Sequence, residues 1–251
     1  MGIGFEDRKV IVTGATAGIG LACAKEFLRQ GARVVVVGRN RDKLDEVAAQ
    51  TPELEIHLAD LSREAERTAL FEAQSDADIL VNNAGAIPGG RLDQIPMDRW
   101  REAWELKVFG YIHLCKLFYA GMSERRSGTI LNMIGIGGRA PKPDYICGAA
   151  GNAALIAFTE ALGGESSQVG VRVLGLNPGM TFTDRARRLI VEREGRYPDK
   201  SMAPDGTMPG MPFGRMATVA EVANLTVFLC GEEVAYVNGT VVDIDGGNRF
   251  R

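Results

Sequence analysis

Two glycine-rich turns and a few polar side chains carry most of the chemistry this chain could do. Thr13-Gly14-Ala15-Thr16-Ala17-Gly18-Ile19-Gly20 follows an apolar β-branched run, Val10, Ile11 and Val12, and precedes apolar residues at helical spacing, Leu21, Ala24, Phe27 and Leu28. The pattern predicts strand, tight turn and helix. Such a turn can cradle a phosphate: Gly14 permits the bend, Gly18 lets backbone approach a pyrophosphate, and Gly20 allows close helix packing. Unpaired N–H groups and the positive end of the helix dipole then face the anion. The same residues would also serve an ordinary strand-to-helix turn. Asn82-Asn83-Ala84-Gly85 follows another apolar run, Ile79-Leu80-Val81. Its adjacent amides can bond neighbouring strands and hold a glycine turn open beside a nucleotide.

Two positions bear on which nucleotide. Arg33-Val34-Val35-Val36-Val37 reads as a strand covered on both faces, ending in Gly38-Arg39-Asn40. Just past such a strand an acid suits a free ribose 2′-hydroxyl and a cation suits a 2′-phosphate. Arg39 therefore argues for NADP rather than NAD, although a solvated arginine opening the next helix would look the same. Asp60 closes a short strand at 54–58 and could accept from an adenine amino group, or serve as a local turn residue before a helix beginning at Ser62. His57 lies inside that strand and reads as a packed histidine.

The elements that must position these residues alternate strand and helix along the chain. Helices are expected at 41–50, stopped by Pro52, and at 97–122, where Trp100, Trp104, Leu106, Val108, Ile112, Leu114, Leu117 and Phe118 go well round the axis. Such a helix suits a subunit interface as well as a core. Strands follow at 129–134 and 171–176, with a Gly135-Ile136-Gly137-Gly138 loop and a small-residue helix from about Cys147 between them. Asn177-Pro178-Gly179-Met180-Thr181-Phe182-Thr183 ends the later strand. Residues 184–214, rich in Arg, Met, Pro and Gly around a short basic helix, read as a mobile cover. A helix at 219–230 and a strand at 240–247 finish the chain.

Composition sets bounds. The length of 251 residues suits one α/β domain, 1–251. A net charge of −3 gives no basic field for nucleic acid or an acidic membrane. Cys23, Cys115, Cys147 and Cys230 lie far apart, so neither a disulfide framework nor a metal cluster is expected, and they read as buried thiols in a reducing compartment. No signal segment and no apolar run of membrane-spanning length is read, which places the protein in the cytoplasm.

The chain resembles the short-chain dehydrogenase/reductase family, particularly members like the β-ketoacyl carrier-protein reductases. The resemblance rests on TGATAGIG at 13–20, NNAG at 82–85, NPG at 177–179 and GRMATVAEVANLTVFLCGEEVAYVNGTVVDIDGG at 214–247. It implies a Rossmann-type, doubly wound parallel sheet of about seven strands with helices on both faces, and a homodimer or homotetramer. It also implies cofactor contacts from Gly14, Thr16, Gly18, Ile19, Gly20, Asn83, Ala84, Gly85, Pro178, Gly179, Thr181 and Thr183, with Asp60 and Leu61 at the adenine.

The family's catalytic side chains do not carry over. Members use an asparagine on the long helix, a serine after the fifth strand, and a tyrosine and lysine four apart on the next helix. Aligning the motifs puts Lys107 in the asparagine slot, Gly135 in the serine slot, Gly148 in the tyrosine slot and Asn152 in the lysine slot. A ketone receiving hydride without a positioned acid loses about 10²- to 10⁴-fold in rate. Two glycines in place of large polar side chains are expected to leave space beside the nicotinamide. The asparagine and lysine look exchanged, so Lys107 could be the cation of a rebuilt site, or a lysine turned to solvent or an interface. Tyr145, one turn before the empty slot, is the best hydroxyl, or part of the pocket wall. Cys147 and His113 are weaker replacements. The expected protein is an NADP(H)-dependent oxidoreductase acting by an atypical site on a small carbonyl or unsaturated substrate, or a catalytically silent relative that binds NADP(H) for sensing or assembly with an active paralogue.

Overall fold

Parallel strands covered on both faces read as continuous β-branched runs, and they do so here because alternate side chains feed two separate cores. In the computed structural model, which describes residues 4–184, 186–187 and 206–250, β1 (Lys9–Thr13) is buried throughout. Val10 and Val12 point to one layer, with Phe27 of α1 (Gly18–Arg29) and Val222 and Val227 of α7 (Val219–Cys230). Ile11 points to the other, with Leu70 of α3 (Glu64–Gln74) and Leu114 and Phe118 of α5 (Gly110–Arg125). Each such large side chain buried in place of exposed contributes about 1.5–3 kcal/mol.

The remaining elements are β2 (Arg33–Gly38), α2 (Arg41–Gln50), β3 (Glu55–Leu58), β4 (Ile79–Asn82), α4 (Met97–Trp104), β5 (Gly128–Met133), α6 (Ile146–Ser166), β6 (Val171–Pro178) and β7 (Val241–Ile244). The seven strands are parallel in the order β3-β2-β1-β4-β5-β6-β7. The chain winds outward from β1 through β2 to β3, then returns to place β4 on the other side of β1. At that switch the two following turns part and open a crevice beyond the carboxyl ends of the strands.

Three expectations are corrected. The helix read as 97–122 is not one α-helix: α4 ends at Trp104, a π turn spans Glu105–Phe109, and α5 begins at Gly110. The N–H of Gly110 bonds back to the carbonyl of Glu105, five residues away. The helix after Asp60 starts at Glu64 and not at Ser62, because the Asp60 carboxylate takes both the Ser62 N–H (3.1 Å) and its hydroxyl (2.8 Å) in a turn. Last, Ile146–Val169 is long and apolar enough to cross a membrane, contrary to the reading that no run reaches that length. Its Ala and Gly residues make it apolar through small size, and half of the stretch is buried inside the protein as a core helix would be.

Of the 184–214 stretch, Ala186, Met208 and Met211 pack with the flanking Phe182 and Met216. The short basic helix expected there falls largely outside the described residues. The stretch leads into α7 through a capping box: Thr218 Oγ1 accepts from the Glu221 N–H (3.1 Å) while the Glu221 carboxylate accepts from the Thr218 N–H (2.7 Å). The Arg215 guanidinium adds two bonds to the same carboxylate, at 2.7 and 2.9 Å. Arg215 and then the Thr218 backbone hold the Glu221 carboxyl down to about 2. A depressed carboxyl stabilises the fold above its unfolded value and loses that contribution as pH falls through the folded one. Glu221→Gln, which keeps an N3 acceptor but removes the charge beside Arg215, should therefore lower stability by up to about 1 kcal/mol at neutral pH, the upper end for an exposed ion pair. Denaturation at pH 7, 4 and 2 should show the difference shrinking below pH 4.5 and gone near pH 2; a difference independent of pH would contradict the assignment.

Candidate active site

The crevice is framed by a knot of hydrogen bonds between the ends of β1 and β4. The Thr13 hydroxyl, fully buried, donates to the Val81 carbonyl (3.3 Å) and accepts from the N–H groups of Asn83 (2.8 Å) and Ala84 (3.1 Å). The Asn83 amide donates to the carbonyls of Thr13 (2.9 Å) and Gly14 (3.1 Å). Gly14 sits at φ +63°, and a Cβ there would stand 2.7 Å from Ala84 Cα. A Cβ at Gly20 would meet the Asn83 amide at 2.5 Å, so α1 can start this close only without one. α1 has no side-chain cap and no acid in its first turn, which leaves its positive end to an outside anion. Asn82 turns the other way and donates to Asn132 Oδ1 on β5 (2.9 Å).

Next to this knot lies a cavity of about 490 Å³. Of the cofactor residues predicted from sequence, Ile19, Asn83, Gly85, Pro178, Gly179, Thr181 and Thr183 line it. Gly14, Gly18 and Gly20 frame the turn above it, and Thr16 packs its methyl where a Cβ of Gly38 would lie. Arg39 is exposed and lines a second cavity of about 200 Å³ with Ser62, Ala86 and Leu106. Burial pushes the Asp60 carboxyl up, but the Ser62 bonds and the Arg39 and Arg63 charges outweigh it and hold it below the usual range. Asp60 thus stays an acceptor near neutral pH. Leu61 is buried, and its carbonyl accepts from Arg67 (2.9 Å).

Three of the four positions aligned with the family's catalytic residues, Lys107, Gly135 and Asn152, line the large cavity, and the fourth, Gly148, lies behind the Tyr145 ring that lines it. Lys107 sits on the π turn, only 9% exposed, and its ammonium donates to the Ile134 carbonyl just past β5 at 2.5 Å. Its stem lies along Gly85, where a Cβ would stand 3.1 Å from Lys107 Cδ. Asn152, 2% exposed, donates to the adjacent Gly135 carbonyl at 3.2 Å, and its Oδ1 has no partner among the described residues. Ammonium and amide thus meet neighbouring carbonyls at the end of one strand from two different helices. Lys107 is directed into the cavity, not to solvent.

The expectation of open space is corrected at Gly148, whereas Gly135 lines the cavity. A Cβ on Gly148 would stand 2.2 Å from Tyr145 Cζ and 2.6 Å from its hydroxyl oxygen. The phenol of Tyr145, at the N-cap of α6, has swung back over the glycine and fills the room there. At Gly135 the Asn152 amide lies 3.1 Å from where a Cβ would be. The two weaker replacements are not brought to the site. Cys147 is fully buried, and burial pushes its thiol up, away from a thiolate. His113 instead accepts from Arg67 Nε at 3.2 Å.

Three residues that sequence reasoning passed over matter to this geometry. Thr13 ties the knot, Asn177 accepts from the Gly135 N–H (3.2 Å) and donates to Asp243 (2.9 Å), and Arg67 grips the π turn. Asn177 carried a signal, a polar side chain at the carboxyl end of a buried strand; Arg67 shares a helix stripe with buried Leu70 and Gln74. The overlap at Gly148 gives a sign test. Gly148→Ala should cost about 1–3 kcal/mol through overpacking. In a Tyr145→Ala background the same change should instead stabilise the helix by roughly 0.5–1 kcal/mol. Denaturant titration of the four proteins measures both, and a stabilising Gly148→Ala with Tyr145 present would contradict this placement of the ring.

Comparison with known proteins agrees with this architecture. Residues 8–193 match the short chain dehydrogenase family. D-beta-hydroxybutyrate dehydrogenase of Cupriavidus necator is 31% identical, over 96% of this chain and 97% of that one. A 3-oxoacyl-[acyl-carrier-protein] reductase of Chlamydia trachomatis is 28% identical, over 96% and 97%. L-sorbose reductase from Gluconobacter frateurii, solved in complex with NADPH and L-sorbose, superposes with a TM-score of 0.88 at 29% identity and covers both chains fully. With the parallel sheet, the glycine turn and the Asn83 knot all in place, the chain belongs to the short-chain dehydrogenase family of oxidoreductases.

Proposed function

We propose that this protein is an NADP(H)-dependent oxidoreductase that acts on a small carbonyl or unsaturated substrate through a rebuilt site. The observation that carries the reading is the pairing of a relocated phenol with a buried ammonium on one cavity: Tyr145 covers Gly148, and Lys107 reaches the β5 end beside it. The glycine turn fits a dinucleotide, since a Cβ at Gly18 would stand 3.5 Å from Thr183 and fill the gap across the crevice. NADPH, when bound, supplies the hydride. The turn from Gly14 to Gly20, with Pro178, Gly179, Thr181 and Thr183, would hold its pyrophosphate and nicotinamide half. Asn83, Ala84 and Gly85 would lie along it, and Asp60, Leu61 and Arg39 would meet the adenosine end.

In this reading the Tyr145 hydroxyl gives its proton to the substrate oxygen as the carbonyl carbon accepts hydride. The O–H bond of the phenol breaks, and the ammonium of Lys107 stabilises the negative charge as it develops. Asn152 holds the β5 end and keeps the glycine loop in place. Ala186, in the described part of the proposed 184–214 cover, lines the cavity and would help exclude water. The half-buried residues of α4 and α5, with Phe109 52% exposed on the π turn between them, suit a homodimer or homotetramer. The buried thiols, with Cys23, Cys115 and Cys230 pushed up to about 12 by burial, suit a cytoplasmic setting, and the net charge of −3 gives no basic field for nucleic acid or an acidic membrane.

NADPH oxidation against a panel of ketones, quinones and enones tests the mechanism. Tyr145→Phe should lower turnover about 10²- to 10⁴-fold, and Lys107→Ala about 10²- to 10³-fold. Tight NADPH binding with no turnover on any substrate, unchanged in both variants, would favour the catalytically silent alternative. Cofactor choice is tested separately. Arg39→Ala should cut the preference for NADPH over NADH roughly tenfold or more, the worth of a lost charge-assisted bond, and equal losses for both cofactors would remove Arg39 from the 2′-phosphate.

A further inference from the structure

Arg67 is a buried cation that the reaction chemistry above does not use. It lies on α3, 2% exposed, beside Leu70 and Gln74 on the face that packs against the sheet and α5. Burying a guanidinium is costly unless its donors are all engaged, and here they bind around the π turn. Nη1 donates to the carbonyl of Leu61 (2.9 Å) and to that of Glu105 (3.4 Å). Nη2 donates to the Glu105 carboxylate (2.9 Å), and Nε to His113 Nδ1 on α5 (3.2 Å). One planar group therefore touches the first residue of the π turn twice, the helix beyond it, and the strand end that carries Asp60.

Glu105 matters because its carbonyl defines the π turn. In an α-helix it would accept from residue 109; here it accepts from Gly110, and Arg67 also bonds to it. Reverting to α geometry would shift the register by one residue, a rotation of about 100° between the flanking helices. α5 is held by buried Tyr111, Leu114, Cys115 and Phe118, so the turn bearing Lys107 would have to absorb that rotation. We propose that Arg67 is a positioning residue, whose guanidinium holds the π turn at Glu105 and thereby keeps the Lys107 ammonium in the cavity. Its importance for turnover rests on the role assigned to Lys107, but the positioning itself does not.

Lysine reactivity tests it without an assay for activity. Lys9 and Lys107 are equally buried, each 9% exposed, while Lys142 is exposed at the cavity rim. Lys9, bonded to Asp76 at 2.6 Å on the far side of the sheet's switch point, serves as the internal control. Under mild reductive methylation read by peptide mass spectrometry, Lys142 should react quickly and the other two slowly. In Arg67→Met, Lys107 should react at least tenfold faster with Lys9 unchanged. Arg67→Lys, which keeps a donor but not the fork, should give partial protection, and it carries the same readout if the methionine variant does not fold. Lys107 as protected in the variants as in the parent protein would overturn the proposal, and so would Lys9 accelerating in step with it, since that reports general loosening. Absence of turnover in the parent protein would sink the catalytic reading and leave this result standing.

Discussion

The hydroxyl of Thr13 is the interaction on which the rest of this site depends. It is fully buried where β1 and β4 part, and it serves three backbone groups at once, donating to Val81 and accepting from Asn83 and Ala84. The N–H groups of Asn83 and Ala84, half-buried where the strands diverge, would otherwise be left without ladder partners. By satisfying them, Thr13 lets the two chains diverge into separate turns. The Asn83 amide then fastens the glycine turn to the diverging strand, so the crevice has walls before any ligand enters.

Buried and half-buried cations hold carbonyls at the ends of elements. Lys107 takes the Ile134 carbonyl, Arg67 takes those of Leu61 and Glu105, and Arg172 gathers those of Leu229, Cys230, Gly231 and Val234 at the end of α7. Burial pushes the Arg172 guanidinium down, and a ring of carbonyls is the environment that makes a buried charge tolerable. The carboxyl ends of strands and helices present oxygen atoms, so a cation there answers both the dipole and the unpaired acceptors. Lys107 differs from the two arginines in lining the large cavity.

Around Gly135 and Gly148 side chains from neighbouring positions occupy the room that the glycines leave. A tyrosine one turn earlier reaches back over Gly148, and an amide from α6 settles against Gly135. The glycines are needed because the incoming groups stand where their side chains would be. An N-cap residue lies outside the regular helix, so its side chain is free of the helical direction that would carry it away from the following turn.

Much of the frame was legible from the residues. Alternating layers follow from β-branched runs and helical stripes, and the phosphate turn from the glycine spacing, because both depend on local sterics and periodicity. The π turn, the Arg67 clamp and the position of the Tyr145 ring were not legible. Each arises from contacts between residues distant in sequence or from room left by a neighbour: Glu105 meets Arg67 across 38 positions, and the phenol settles where residue 148 has no side chain. The sequence by itself determined the fold class and the strand–turn–helix cradle. Only the tertiary structure decided which side chains meet at the cavity, since a side chain's place in a packed interior is set by the volume and donors that other elements bring to it.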